Sequence, residues 1–178
     1  MRKYKKLSSR KIIVNEHVQL YEDKVKLPNG EIYNYYLNNK NKKSVFILPV
    51  DKQGRILILK EYRYPVDRTI YGPVAGKVDD QEPVLKAARR ELREETGYTA
   101  KKFISLGKFY GSPAKSNTVF YAYVVKDLTP GKCDFDHTEV ITAVWLTISQ
   151  FEKLVKEGKV MDPYLLDMYL LYKLKYRK

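Results

Sequence analysis

Cysteine is almost absent from this chain, with one thiol, Cys133, in 178 residues. An intrachain disulfide is thereby excluded, as is a metal cage built of thiolates, and the composition suits a reducing cytoplasm. Long apolar runs are missing as well. The longest, near Val45–Val50 and Val119–Val125, are strand-sized and far short of the roughly 20 residues a membrane-spanning helix needs, so no membrane association is expected. The basic start, Met1-Arg2-Lys3-Tyr4-Lys5-Lys6, is followed by no apolar h-region, and a secretory signal is not expected. Internal repeats and low-complexity tracts are lacking. Acidic residues are the minority, 21 against 34 Lys and Arg, for a net charge of +13. Such a balance attracts anions, whether nucleic acid, acidic lipid or phosphorylated small molecules. The basic residues are spread along the whole chain, so most of them read as solvated surface, and a nucleic-acid partner is not expected from charge alone.

What is present describes a globular chain. Hydrophobic residues at 44% and charged residues at 31% are an ordinary soluble balance. In the first forty residues, Ile12–Val14, Val18–Tyr21 and Lys24–Leu27 read as strands, and Pro28-Asn29-Gly30 is a turn before Glu31–Leu37. The polar stretch Asn38–Lys43 reads as a loop, dividing an N-terminal β element, residues 1–42, from a main domain, residues 43–178. Ser44–Val50 and Arg55–Lys60, joined by Asp51-Lys52-Gln53-Gly54, read as an antiparallel hairpin. A helix is expected from about Pro83 to Thr96-Gly97, then strands at Phe103–Tyr110, Thr118–Val125 and Val140–Leu146. Thr147-Ile148-Ser149-Gln150 has the form of a capping box opening a helix that Gly158 closes. Asp162-Pro163 opens a last helix to about Lys173, with Leu165, Leu166, Tyr169, Leu170 and Leu174 as its buried stripe. The expected class is α+β, a mixed sheet between helices.

The segment from Gly76 to Tyr98 carries the chemistry. At about 100° per residue, Glu95 lies about 20° from Ala88, Glu91 about 40° from Glu95, and Leu92 and Leu85 flank them. Two carboxylates therefore edge the apolar stripe, with Glu94 further round. Carboxylates crowded beside a low-dielectric wall repel unless a cation neutralises them, and hard divalent ions such as Mg²⁺ prefer oxygen ligands. A metal site is one reading. The other is a solvated helix whose Arg89, Arg90 and Arg93 pair with the glutamates.

The whole segment resembles the Nudix box, Gly-x5-Glu-x7-Arg-Glu-U-x-Glu-Glu-x-Gly-U, where U is a bulky apolar residue. Gly76, Glu82, Arg90, Glu91, Glu94, Glu95 and Gly97 fill the strict positions, Leu92 fills one U, and Tyr98 fills the other with an aromatic ring. The resemblance implies a Nudix-type α/β/α sandwich, here preceded by the N-terminal antiparallel β element. It implies Glu91 and Glu95 as metal ligands assisted by Glu94, with the carbonyl of Ala75 completing the site. Arg90 would orient the glutamates and Glu82 would fix the loop against the helix. It further implies Mg²⁺, or Mn²⁺ in its place, bridging diphosphate oxygens and activating a water.

Outside the box, Glu61-Tyr62-Arg63-Tyr64-Pro65, Pro73–Asp79, Ser112-Pro113 and the tail from Glu139 to Asp162 resemble the ADP-ribose and nucleoside diphosphate sugar pyrophosphatase subgroup. That subgroup often exchanges a leading sheet, like residues 10–37 here, between subunits, which implies a homodimer. Arg63, Tyr64 and Pro113 become candidate substrate-binding residues; Tyr62 and Tyr71 could also stack on a base. The run Ala114-Lys115-Ser116-Asn117 after Pro113 departs from the Gly-then-acid of the subgroup, which leaves sugars other than ADP-ribose open. The loop Cys133–Glu139 offers a catalytic base: Glu139 first, Asp136 second, with His137 as a surface residue. The expected activity is hydrolysis of a nucleoside diphosphate sugar. The alternatives are a pyrophosphatase on RNA 5′ ends or dinucleoside polyphosphates, and a non-catalytic nucleotide- or RNA-binding module.

Overall fold

Val45–Leu48 and Ile56–Leu59 are apolar at every position. A strand points successive side chains to opposite faces, so such runs demand cover on both. The computed structural model, which describes residues 3–15, 18–133 and 141–176, provides it. Val45, Ile47, Leu57 and Leu59 enter one buried cluster with Ala87, Ala88 and Leu92 of a long helix. Phe46, Leu48, Ile56 and Ile58 enter another with Phe151, Leu165, Met168 and Tyr172 of the last two helices. Helices thus cover both faces of the β layer.

The chain forms two compact units, Met1–Lys42 with Tyr110–Val119, and Lys43–Phe109 with Phe120–Lys178. In the first, β1 (Lys5–Val14), β2 (Gln19–Lys26) and β3 (Ile32–Asn38) form an antiparallel sheet in that order. The pieces expected at Val18–Tyr21 and Lys24–Leu27 are one continuous strand, β2. The turn into β3 rests on Gly30, whose φ of 95° is open to glycine. The segment 110–119 joins this unit through Asn117, whose Oδ1 accepts from the Asn41 amide at 2.7 Å.

The second unit holds β4 (Lys43–Pro49), β5 (Ile56–Arg63), a 3₁₀ turn at Tyr64–Val66, β6 (Arg68–Gly72), β7 (Val74–Lys77), α1 (Val84–Thr96), β8 (Thr99–Tyr110), β9 (Val119–Thr129), β10 (Ile141–Leu146), α2 (Ile148–Lys156) and α3 (Pro163–Tyr176). One sheet runs β7-β4-β9-β8 and another β10-β5-β6. The expected β4–β5 hairpin is therefore corrected: the two strands meet only at the bridge Val50↔Ile56 and then part into different sheets. Each is the inner strand of its sheet, where both backbone edges must be paired. β4 takes β7 and β9, and β5 takes β10 and β6.

The helix boundaries follow their caps. Pro83 is the N-cap residue of α1 and Gly97, at φ 71°, its C-cap. The Thr147–Gln150 capping box opens α2, with Thr147 Oγ1 accepting from the Gln150 amide and Gln150 Oε1 from the Thr147 amide. The stripe expected on α3 is corrected to Leu165, Met168, Tyr169 and Tyr172, spaced three or four residues apart, while Leu170 and Leu174 are exposed. On α1 the buried residues are Ala87, Ala88, Leu92 and Thr96, and Leu85 lies at the surface.

Candidate functional site

Sequence alone puts the acidic residues of α1 beside its buried stripe, and packing decides where their carboxylates go. With Ala87, Ala88 and Leu92 facing β4 and β7, Glu91 and Glu95 are carried to the edge of that contact, both half-buried. Glu95 reaches β7, where its Oε2 accepts from the Ala75 amide at 3.0 Å. Glu91 lies against Gly76 so closely that a Cβ on that glycine would stand 2.0 Å from its carboxyl carbon. Only a residue without a side chain leaves this space.

Arg90 binds the cluster together. Its Nη1 donates to Glu91 Oε1 at 2.7 Å and to Glu94 Oε2 at 3.1 Å. Its Nη2 donates to Glu82 Oε2 at 3.1 Å and to the Lys77 carbonyl at 2.9 Å. One guanidinium thus ties the helix to the loop that leads into it. Glu82 closes that loop from the other side, its Oε2 accepting from the Asp79 amide at 3.3 Å. Hydrogen bonds from Arg90 hold the Glu82 carboxyl below its ordinary range, against a burial that works the other way. Hydrogen bonding to Glu82 raises Arg90 far above its own ordinary value; burial opposes this and the charge of Glu91 adds to it. Both groups are ionised at neutral pH.

Gly97 serves the site from the far end of α1. Its left-handed conformation ends the helix, and a Cβ there would come within 2.9 Å of the backbone of Gly131 and Cys133. The chain leading into residues 134–140 therefore passes directly over the end of the glutamate helix. Tyr98, next in sequence, accepts from Trp145 Nε1 at 3.4 Å and packs edge-on to its ring.

As they stand, the acids are held pairwise rather than caged. Among the described residues no group of three acidic, histidine or cysteine side chains is gathered tightly enough to hold an ion. The donor set nevertheless fits a hard divalent cation: three glutamates on one helix face, and a β7 backbone in hydrogen-bonding contact with one of them. The Ala75 carbonyl belongs to that same stretch of β7.

The other candidates are dispersed. Arg63 ends β5, with its Nη1 2.7 Å from Glu61 Oε1. Tyr64, in the 3₁₀ turn, is 82% exposed, a flat surface free to receive a ring. Tyr62 donates to Asp67 Oδ1 at 3.0 Å, and Tyr71 packs against the core. Pro113 sits exposed in a turn of the first unit, closed by the Lys115 and Ser116 amides on the Ser112 carbonyl. Glu139, Asp136 and His137 lie outside the described residues. Asp162 opens α3, as its pairing with Pro163 suggests. Its Oδ1 accepts from the Tyr164 and Leu165 amides, and burial pushes its carboxyl up.

Comparison with known proteins points to one family. The family model described as the NUDIX domain matches residues 40–167. The ADP-ribose pyrophosphatase of Bacillus subtilis is 32% identical over 160 residues, 89% of this chain and 86% of its own. An ADP compounds hydrolase of Escherichia coli is 26% identical over 117 residues, 66% of this chain and 62% of its own. A crystal structure of an ADP compounds hydrolase superposes with a TM-score of 0.87 at 21% identity, covering 100% of this chain and 98% of that one. At that identity the likeness is one of fold, the α/β/α sandwich. No helix among the described residues is long and apolar enough to cross a membrane.

Proposed function

The chain belongs to the Nudix family, and on that premise we propose that it hydrolyses the diphosphate linkage of a nucleoside diphosphate sugar of the ADP-ribose type. Water adds across the P–O–P bridge: one phosphorus gains the hydroxyl, and the other departs with the bridging oxygen, giving a nucleoside monophosphate and a sugar phosphate. The observation that carries this reading is the Arg90 clamp, which holds Glu82, Glu91 and Glu94 around one guanidinium at the head of an intact box. The B. subtilis relative, named an ADP-ribose pyrophosphatase, supplies the substrate class.

In this reading Glu91, Glu94, Glu95 and the Ala75 carbonyl hold Mg²⁺ or Mn²⁺. Such an ion supplies charge neutralisation at the diphosphate and a lowered pKa for the attacking water. Arg90 keeps Glu91 and Glu94 aimed through its hydrogen bonds, and Glu82 keeps the incoming loop from drifting. Arg63, Tyr64 and Pro113 are assigned to substrate, Tyr64 because its exposed ring offers a stacking face. Glu139 is assigned as the base that receives the water proton, being a carboxylate in the loop from Cys133 to Glu139. Glu139→Gln should abolish most turnover; a crippled Asp136→Asn beside a normal Glu139→Gln would move the role to Asp136.

The same reading makes the protein a cytoplasmic homodimer built on its first unit. β1 is exposed along its whole length, including Leu7, Ile12, Ile13 and Val14, more apolar edge than a soluble monomer usually leaves open. Light scattering on the purified protein should give twice the chain mass.

A substrate panel with Mg²⁺ tests the activity: ADP-ribose, GDP-mannose, UDP-glucose, a diadenosine polyphosphate and a 5′-triphosphorylated RNA. One of the first three should turn over fastest. Fastest release of phosphate from the RNA would overturn the substrate class, and no hydrolysis of any would leave a binding module.

A further inference from the structure

The face of α1 opposite the buried stripe is lined with cations. Lys86, Arg89 and Arg93 recur three and four residues apart, so they share one side of the helix over about 10 Å of rise. With Arg90 of the carboxylate clamp and Thr99, Ala100 and Phe103 of β8 they line a cleft of about 370 Å³, inside the roughly 300–1,000 Å³ range of small-molecule sites. Arg89 is fixed there. Its Nη1 donates to the Ala100 carbonyl at 3.0 Å, and its guanidinium carbon lies 4.5 Å from the Phe103 ring centre. One donor is used by that carbonyl, and a guanidinium carries five.

We propose that this cleft is a second binding site, bordering the carboxylate edge of α1 but built from cations rather than from its glutamates, for an oligophosphate: a short chain of linked phosphates, free or carried on a small molecule. A single carboxylate or phosphate would engage one cation, whereas Lys86, Arg89 and Arg93 form a row that matches a chain of charges. The planar fork of a guanidinium suits the paired oxygens of phosphate. Arg89, already ordered against Phe103, loses little freedom on binding. Phe103 and Ala100 form an apolar floor beneath the row, which concentrates the field of the cations at the mouth. The hydrolase reading is not required for this site: Lys86 and Arg89 lie on the other side of the helix from Glu91 and Glu95, while Arg90 and Arg93, which also reach Glu94, mark where the cleft borders the carboxylates.

The test is calorimetric titration of the full chain with inorganic tripolyphosphate, in chelator and without divalent metal, so that no metal-dependent binding contributes. Three variants are compared with the wild type: Lys86→Ala with Arg89→Ala, the single charge reversal Lys86→Glu should the double variant fold poorly, and Lys153→Ala with Lys156→Ala on α2, which removes the same charge elsewhere. The wild type should bind, both cleft variants should weaken binding at least tenfold, and the α2 variant should change it less than twofold. Equal weakening by the α2 and cleft variants would reduce the effect to the net charge of +13 and overturn the proposal, as would no binding by the wild type. A 5′-phosphorylated single-stranded oligonucleotide serves as the second arm. Should it bind more tightly than tripolyphosphate, and lose that binding in the cleft variants, the assignment to a small oligophosphate fails.

Discussion

Gly76→Ala separates fold from function at a single methyl group. The added Cβ would stand 2.0 Å from both Cδ and Oε1 of Glu91 and 2.4 Å from Oε2. Ordinary carbon contacts are about 3.5–4.0 Å, so the carboxylate must retreat by roughly 1.5 Å. The Gly76 backbone is not among the positive-φ glycines, so alanine meets no conformational strain there. What it displaces is the far end of a flexible side chain, and the stability change should stay within about 1 kcal/mol. Activity is another matter. A misplacement on the order of 1 Å in a catalytic constellation costs about 10²-fold, and here the displaced group is a proposed metal ligand. The assay is hydrolysis of the best substrate under saturating Mg²⁺, paired with a thermal melt of the same preparation. A near-native melting temperature with kcat/KM down about 100-fold is expected. Full activity with a native melt would show that the seat of Glu91 against Gly76 is not its working position.

Other substitutions probe the frame around this point. Leu92 is fully buried between α1 and the sheet, so Leu92→Ala should cost about 2–5 kcal/mol by denaturant unfolding; a smaller loss would mean that α1 is not held by that contact. Glu152 is kept ionised down to about 2 by hydrogen bonds from Lys173 and Tyr169, against an ordinary 4.5. A depressed carboxyl stabilises the fold above its unfolded value and loses that contribution as pH falls through its folded one. Lys173→Met should therefore melt below the wild type at pH 6, with the gap closing between about pH 4.5 and 2; a gap that stays constant with pH would dismiss the ion pair as its cause.

The parts of this protein legible in its sequence are those set by local spacing. The glutamates of α1, its glycine C-cap and the Thr147–Gln150 box each depend on residues within a turn or two, and the structure places them as the pattern demands. Partnership between strands was not legible. Apolar residues at every position of β4 and β5 announce two covered faces but not which strand lies alongside, so a short connecting turn suggested a hairpin that closes at one bridge only. β6 and β7 went unseen because Gly72 and Pro73 interrupt them with turn chemistry. On α3 the leucines drew attention, yet Met168 and Tyr172 are buried and Leu174 is 75% exposed; composition ranked the residues, and the packing of α3 against β4 and β6 chose the face. Within the site, the reason for Gly76 is a contact with Glu91 fifteen positions away, which no local pattern reveals.

The central claim is that carboxylates from one helix hold the divalent ion on which turnover depends. Its most direct test is a Mn²⁺ titration followed by electron paramagnetic resonance, wild type against Glu91→Gln with Glu95→Gln, with melting curves to confirm that both are folded. The account predicts stoichiometric Mn²⁺ binding by the wild type and at least 100-fold weaker binding by the double variant. Unchanged Mn²⁺ affinity in a folded double variant would contradict it.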